Sequence, residues 1–368
     1  MPIQTALDSI NQNQGSPFGF KNRIINGNMA ITQGAAAATI TPATSSAYTT
    51  NYPVDRFEVI VGAASKLTTA QSTTAATGFN FSTLITSSSA YTVGAGEIFA
   101  IRHKIEGFNT SDLAFGTANA QTITLSFWTR SSLTGTFGGS IQNSAASRSF
   151  PFTYTISVAN TFEYKTITIL GDTSGTWIGA TNGIGITINF GLGVGATYSG
   201  TANAWAGADY RSATSATSVV ATNGATFYVT GVQLEKGSTA TSFDYRPFGT
   251  ELALCQRYFY QSYPVGSAVG SNVGSDKYYY VAVYTAPSTS AQVTSIPFPV
   301  TQRATPTVTF YDRAGTSGQW YFGVYGASEA STSISSTVLS NNAISPKGTS
   351  VIASSNIGYG YFASSAEL

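Results

Sequence analysis

The sequence predicts an all-β protein: an N-terminal arm, a jelly-roll β-sandwich, a short connecting helix and a second, smaller antiparallel β-domain. Three observations carry this. Apolar and polar residues alternate with period 2 in many short runs, the pattern of strands with one buried face. Between the runs stand turns rich in Gly, Ser, Thr and Asn, such as TGTFGGS, GDTSGTW and ATNG. Aromatic residues make up 13% of the 368 residues and charged residues only 9%, against about 25% charged in an average soluble protein. Disordered chains show the opposite balance, few aromatics and many charges.

The elements follow in order. Residues 1–22 read as an arm, with Ile3, Leu7 and Ile10 at helical spacing before NQNQGSP breaks the turn. An arm this short docks on a partner or frays, because it cannot hold a core of its own. From 23 to 247 the period-2 signal dominates. QTITLSFW sets Ile123, Leu125 and Phe127 against Thr122, Thr124 and Ser126. GIGITINFGLG places Ile184, Ile186, Ile188, Phe190 and Leu192 on one face, and FEYKTITIL opposes Ile167 and Ile169 to Thr166 and Thr168. ATFYVTGVQLE closes the set. Thr and Ser suit the outer faces, since Thr is β-branched and polar enough for water. Many short strands with such turns imply an antiparallel jelly-roll sandwich.

Residues 248–263, FGTELALCQRYFYQSY, change period. Leu252, Cys255 and Phe259 fall at i, i+3, i+7, and Leu254 and Tyr258 at i, i+4. Thr250 is the expected N-cap, Glu251 suits the first turn, and Pro264 stops the helix. Residues 264–368 resume strands in KYYYVAVYTA, TPTVTFYD, QWYFGVYGA and GYGYFASSAEL, and read as a small β-sandwich. No fixed 20–50-residue period marks a solenoid or propeller.

Charge and motifs exclude several functions. A net charge of +1, from 17 basic and 16 acidic residues, argues against nucleic-acid binding, which needs a basic footprint. One His and one Cys allow no His/Cys zinc cluster and no internal disulfide. No run of apolar residues is long enough for a membrane helix, and MPIQTALDSINQNQ lacks the basic and apolar regions of a secretory signal. There is no nucleophile elbow, zincin motif, P-loop or EF-hand loop. The glycines of GLGVGATYSG follow an alternating strand with no helix after them, which speaks against a dinucleotide loop.

Asp55-Arg56-Phe57-Glu58 is the densest charge cluster. Residues three apart on a strand point to opposite faces, so Asp55 and Glu58 do not converge as acid and base; an ion pair holding Arg56 at a strand end is expected. His103 shares a face with Ile101 and Ile105 and reads as packed, and Cys255 among apolar neighbours reads as an inert thiol. Glu97, Glu106 and Asp112 are carboxylates that the fold could gather. No catalytic residue, cofactor or metal is expected.

The aromatics are more informative. Trp128 falls on the face opposite Ile123, Leu125 and Phe127; Trp205 and Tyr210 sit in the turn-like TANAWAGADYR. Tyr278–Tyr280, Tyr284, Trp320, Tyr321 and Tyr325 crowd two strands of the second domain. Flat rings pack on the C–H faces of sugars, and the same rings fill cores and subunit interfaces. Trp128, Trp205, Tyr210, Tyr279, Trp320, Tyr321 and Tyr325 are therefore the glycan-contact candidates, each with a packing role as its alternative.

Several strings carry a resemblance. KNRIINGNMAI, YPVDRFE, TLSFWTRSSLTGTF, EYKTITILGDTSGTW and VQLEKGSTAT…YRPFGTELALCQRY resemble a domain widespread in tail-fibre and other receptor-binding or appendage proteins of tailed bacteriophages, in pieces over 22–368. The resemblance implies a non-enzymatic virion protein made in the host cytoplasm and carried externally, on the tail or another appendage. It implies a homotrimer that docks on other virion proteins through Ile3, Leu7 and Ile10. A host-surface polysaccharide would be its ligand, with 264–368 as the distal receptor-binding part. A structural role without receptor binding, as capsid decoration, head fibre or baseplate component, is the alternative. A glycan depolymerase would call for coil repeats and clustered carboxylates. The first domain also resembles jelly-roll carbohydrate-binding modules, whose structural calcium takes carboxylates from an opening segment and a closing strand. Here those stretches read Asn26-Gly27-Asn28-Met29-Ala30 and Tyr228-Val229-Thr230-Gly231-Val232, without acids, so calcium is not expected.

Overall fold

The computed structural model describes residues 21–34, 38–39, 49–272, 279–285, 291–293, 295–324, 328–338, 340–348 and 357–368. Ile3, Leu7, Ile10, Tyr278 and Tyr325 lie outside the described residues. The first region holds β1 (Ala38–Thr39), β2 (Thr49–Val54), β3 (Phe57–Val61), β4 (Leu67–Ser72), β5 (Ser82–Ser87), β6 (Ile98–Glu106) and β7 (Ile123–Ser131). It continues with β8 (Gly135–Gln142), β9 (Ser149–Ile156), β10 (Glu163–Ile169), β11 (Ile184–Val194), β12 (Ser199–Gly200), β13 (Ser212–Ala213) and β14 (Thr226–Lys236). Helix α1 (Phe248–Gln256) leads to β15 (Phe259–Gln261), β16 (Tyr279–Thr285), β17 (Ala291–Val293), β18 (Ile296–Pro297) and β19 (Thr307–Tyr311). β20 (Gln319–Val324), β21 (Ser328–Val338), β22 (Ala343–Gly348) and β23 (Ile357–Ser365) complete the chain. No described helix is long and apolar enough to cross a membrane.

Two six-stranded antiparallel sheets form the jelly-roll sandwich, one in the order β1-β4-β5-β14-β7-β10 and the other β2-β3-β6-β11-β8-β9. The alternation read from the sequence builds its core. Ile123, Leu125 and Phe127 of β7 meet Ile186, Ile188, Phe190 and Leu192 of β11 between the sheets. Phe127 packs edge-on against both Tyr154 and Phe190 with ring centres 5.0 Å apart, the geometry that the ring quadrupole favours.

The outer faces depart from expectation. Thr166 and Thr168 of β10 are exposed, as predicted. Thr124, Ser126, Ser140 and Asn189 are buried, because loops fold over the sheets. Thr124 donates to the carbonyl of Gly237 (2.8 Å), and Asn189 donates to Ser140 Oγ (3.1 Å) and Gln142 Oε1 (2.9 Å). Burial without such partners would cost each group its water.

The connecting helix is shorter than predicted. It ends at Gln256 rather than near 263, and Phe259 is already extended, in register with Ser365 of β23. Arg257 and Tyr258 are drawn to the Glu106 carboxylate at 2.6 and 2.7 Å, which fixes the exit from the helix. The N-cap is Pro247, not Thr250. Proline's fixed φ, here −55°, starts the helix three residues earlier. Glu251 does lie in the first turn, where it accepts from Asn26 N–H and pairs with Arg246.

The second region is β throughout, yet it is not a sandwich. Long β23 pairs with β16 on one side and β20 on the other, and the pairings β16-β17-β22-β21-β20 return to β23. The strands thus close into a ring, which leaves fewer unpaired edges than two open sheets would. Trp320, Phe310, Phe322, Phe362, Ile344 and Ile296 fill it.

A polar seam joins the two regions. Arg56, in the left-handed turn between β2 and β3 (φ 71°), pairs with Glu367 and lies 3.6 Å over the Tyr258 ring. The local ion pair expected from Asp55-Arg56-Phe57-Glu58 is therefore replaced by a distant one. Asp55 instead accepts from Gln33 N–H (2.9 Å) and Nε2 (2.5 Å), and Glu58 pairs with Arg102 (2.6 Å) and Lys104 (3.2 Å). Burial pushes the Asp55 carboxyl up to about 6 in spite of the Gln33 bonds. Burial would also raise Glu106, but hydrogen bonds from Arg257 and Tyr258 and the Arg257 charge hold it below its ordinary value. Arg303 donates to the carbonyls of Ala366 (2.8 Å), Asn182 (2.8 Å) and Glu367 (2.9 Å). Asn22 and Asn26 bond the carbonyls of Val232, Ile31 and Asp55. KNRIINGNMAI, YPVDRFE and the YRPFGTELALCQRY stretch meet here, so their most distinctive residues are architectural.

Candidate functional site

Trp128 organises the clearest site. It stands on the outer face of β7, in register with Tyr164 of β10 and Thr230 of β14. The Trp128 and Tyr164 rings are 5.3 Å apart at 45°. Phe79, from the loop between β4 and β5, and Phe243 and Tyr245, from the loop after β14, wall the opposite side. Phe79 packs against Phe243 at 5.1 Å and Tyr245 at 5.6 Å, and Phe243 against Tyr245 at 4.8 Å. Tyr245 Oη donates to the carbonyl of Gly78 at 2.6 Å, tying the two loops together.

The local sequence explains why these segments meet. β14 slips register between Thr230 and Gln233, and Gly231 takes φ 60° in that bulge. A Cβ at Gly231 would lie 2.6 Å from Phe79 Cζ and 3.0 Å from Trp128 Cδ1, so only glycine lets the rings come this near. Beyond the bulge, Gln233 and Glu235 hold the following loop. Thr241 donates through N–H and Oγ1 to the Glu235 carboxylate (2.8 Å each), and Asp244 N–H donates to Gln233 Oε1 (2.9 Å).

The result is an open cleft of about 460 Å³ lined by these five rings, Gly231, Ala240 and the hydroxyl residues Ser126, Thr241 and Ser242. Its size lies within the range of small-ligand sites. Tyr164 is 42% and Tyr245 54% exposed. Flat apolar walls with a few hydroxyls suit a ligand with alternating C–H and O–H faces.

The other predicted aromatics fall elsewhere. Trp205 is half-buried, donates Nε1–H to the carbonyl of Leu170 (2.8 Å) and packs edge-on against Trp177 (5.5 Å) and Phe115 (6.0 Å). Tyr210 lies flat against Gly200, where a Cβ would meet its ring at 2.1 Å. Trp320 is fully buried and donates to the carbonyl of Tyr361 (3.0 Å), so it is a core residue of the strand ring and cannot face a glycan. Tyr321, half-buried, stacks on Tyr359 at 5.2 Å with Arg313 4.8 Å over its ring. Tyr279 lies in β16 in register with Gly360. Among the described residues, the structure thus joins Trp128 to none of the other predicted aromatics, and adds Phe79, Tyr164, Phe243 and Tyr245.

The carboxylates that the fold could have gathered are each engaged elsewhere. Glu97 accepts from Tyr91 Oη and Gly94 N–H, Asp112 pairs with Arg23 and Lys236, and Glu106 with Arg257, so these three carboxylates do not gather. His103 is buried 4.7 Å from the Phe57 ring, and burial and the Arg56 charge push its imidazole well below its ordinary value. Cys255 is fully buried, and burial pushes its thiol up. The opening segment and β14 do adjoin, through Val232 N–H donating to the Gly27 carbonyl (2.9 Å). Asp55 and Glu251 nearby are held by N–H donors, and no group of three or more His, Cys, Asp or Glu placed to hold a metal occurs among the described residues. A structural calcium does not fit there.

No family model and no curated protein matches the sequence. Among solved structures, similarity is found to the enzymatically active domain of bacteriophage CBA120 tailspike protein 4. That match has 13% identity and TM-score 0.27, over 59% of this chain and 21% of that one. The family 11 carbohydrate-binding module from Clostridium thermocellum, in complex with a β-1,3-1,4-mixed-linked tetrasaccharide, matches at 10% identity and TM-score 0.28, over 53% of this chain and 100% of the module. The CBM22-1 xylan-binding domain of Paenibacillus barcinonensis Xyn10C matches at 7% identity and TM-score 0.24, over 57% and 100%. The chain spans about a fifth of the tailspike structure. Likenesses this distant carry no argument about function.

Proposed function

We propose that this chain is a non-enzymatic glycan-binding protein, and that its cleft on the outer face of β10, β7 and β14 holds the sugar. The observation that carries this is the convergence of five rings from four separate segments on a sheet face where two of them stay about half exposed. Trp128 and Tyr164 would take the C–H face of a sugar ring, and Thr241 and Ser242 its hydroxyls. In keeping with the phage-appendage resemblance, the chain is read as an external virion fibre protein that recognises a host-surface polysaccharide. As a homotrimer docked through residues 1–22, it would raise avidity by displaying several modest sites at once.

The test is retention of oligosaccharides on an array and adsorption to host cells. Trp128→Ala is expected to weaken retention at least about tenfold, the loss typical of a central aromatic anchor, with Tyr321→Ala as the control in the second domain. Equal retention by Trp128→Ala and wild type overturns the cleft reading. Light scattering at micromolar concentration checks the assembly: a trimer is expected, and a monomer overturns the fibre. Firm incorporation into virions without any glycan retention would favour a purely structural role.

A further inference from the structure

One cationic group on the proposed glycan face is left without an acidic partner among the described residues. The arginines of this chain are mostly committed, Arg148 to Asp172 and Arg257 to Glu106 among them, and Arg303 to three carbonyls. Arg130 is not. It stands two residues beyond Trp128 on β7, hence on the same outer face, about 7 Å along the strand. Its guanidinium carbon lies 5.0 Å over the Tyr228 ring and 6.0 Å from Phe162. Among the described residues it meets no carboxylate, and its Nε is buried without an acceptor.

Its neighbours on that face are uncharged: Trp128 on its own strand, Tyr228 in register on β14, Leu84 beyond it on β5, and Phe162. The acid next in sequence is occupied. Glu163 accepts from Ser157 and Val158 N–H (2.8 Å each) and pairs with Lys165 (2.6 Å). The contact with the Tyr228 ring restricts the guanidinium before any ligand arrives. A preset fork with an unspent charge, beside apolar walls that weaken solvent screening, fits an oxyanion bidentately.

We infer that this face takes an anionic glycan, with a sugar ring in the cleft on Trp128 and Tyr164 and a neighbouring acidic residue outside the cleft against Arg130. This rests on the glycan-binding reading. The shared chemistry is two coplanar acceptor oxygens, which a uronate or sialate carboxylate, a sulfate ester or a phosphate ester supplies.

The test uses the full chain and matched oligosaccharide pairs on one array. The pairs are uronate against the parent hexose, sialate against its methyl ester, and sulfated or phosphorylated sugar against the unmodified one. At low salt the acidic member of a retained pair should bind at least about tenfold more tightly, with the advantage shrinking as salt rises. The pair that shows it identifies the oxyanion. In Arg130→Gln the acid-to-neutral ratio should collapse toward one, and Arg130→Lys should recover part of it. Trp128→Ala should weaken both members together and keep the ratio. If wild type retains acidic and neutral members alike, or Arg130→Gln keeps the preference, the inference is overturned while glycan binding stands. If no pair is retained, the glycan reading falls and takes this inference with it.

Discussion

Gly231→Ala probes how the cleft is built. At φ 60° an alanine carries a left-handed backbone cost of about 1–2 kcal/mol. Its Cβ would also lie 2.6 Å from Phe79 Cζ and 3.0 Å from Trp128 Cδ1, both well inside contact distance. Phe79 cannot retreat freely, because Phe243 and Tyr245 hold it at 5.1 and 5.6 Å. Each aromatic pair that opens forfeits about 0.5–1.5 kcal/mol. The expected destabilisation is about 2–4 kcal/mol, a Tm drop of roughly 5–10 °C for a domain of this size, with a matching loss of glycan retention as the walls splay. Gly224 separates strain from shape: it too has positive φ (74°), but a Cβ there meets nothing within 4 Å. Gly224→Ala should therefore show the backbone cost and keep retention. Thermal unfolding followed by circular dichroism, paired with the oligosaccharide array, reads both quantities. A Gly231→Ala protein with Tm within about 1 °C of wild type and full retention would refute the close approach as the cleft's organising contact.

Two further predictions concern the seam. Asp55 holds its proton more tightly folded, at about 6, than its ordinary 3.8. Its ionisation therefore costs stability as pH rises from about 4 to 6, by up to about 3 kcal/mol. Asp55→Asn removes that dependence, so the stability of the variant relative to wild type should rise between pH 4 and 7 in urea titrations; parallel curves would refute the assignment. Glu106 works in the opposite sense: its carboxyl is held low, so its contribution is present above its ordinary 4.5 and lost as pH falls through the folded value. Tyr258→Phe keeps the ring under Arg56 but removes one donor to Glu106, and should cost about 1–2 kcal/mol at pH 7 and soften the acid loss. A change below about 0.5 kcal/mol in denaturant midpoint analysis would show that the hydroxyl is dispensable.

The sandwich was legible because its strands obey one rule. Ile123, Leu125 and Phe127, or Ile186, Ile188 and Phe190, each declare a buried face within a few residues, and Trp128 declares the opposite one. The cleft around Trp128 was not legible, since its other walls come from residues 79, 164, 243 and 245, which only the sheet order brings together. Gly231, an isolated glycine in a strand pattern, was the available signal for a bulge or close approach. Trp320 misled for a related reason. Its strand looked too crowded with rings for a single core, but the closed strand ring gives them an inside. Asp55 and Arg56 were read through their neighbours in sequence, while their partners Gln33 and Glu367 are set by long-range packing.

The place of β14 in its sheet has a consequence for biogenesis. It is the strand between β5 and β7, so until residue 236 has been synthesised this sheet exists as two separate halves, β1-β4-β5 and β7-β10. Each half then presents an open edge, the condition in which nascent β proteins associate wrongly. Closure must also span more than a hundred residues of intervening chain, which makes it slow. The cleft, which needs β14 at its floor, therefore assembles late, and a chain interrupted before that strand would carry Trp128 without its other walls.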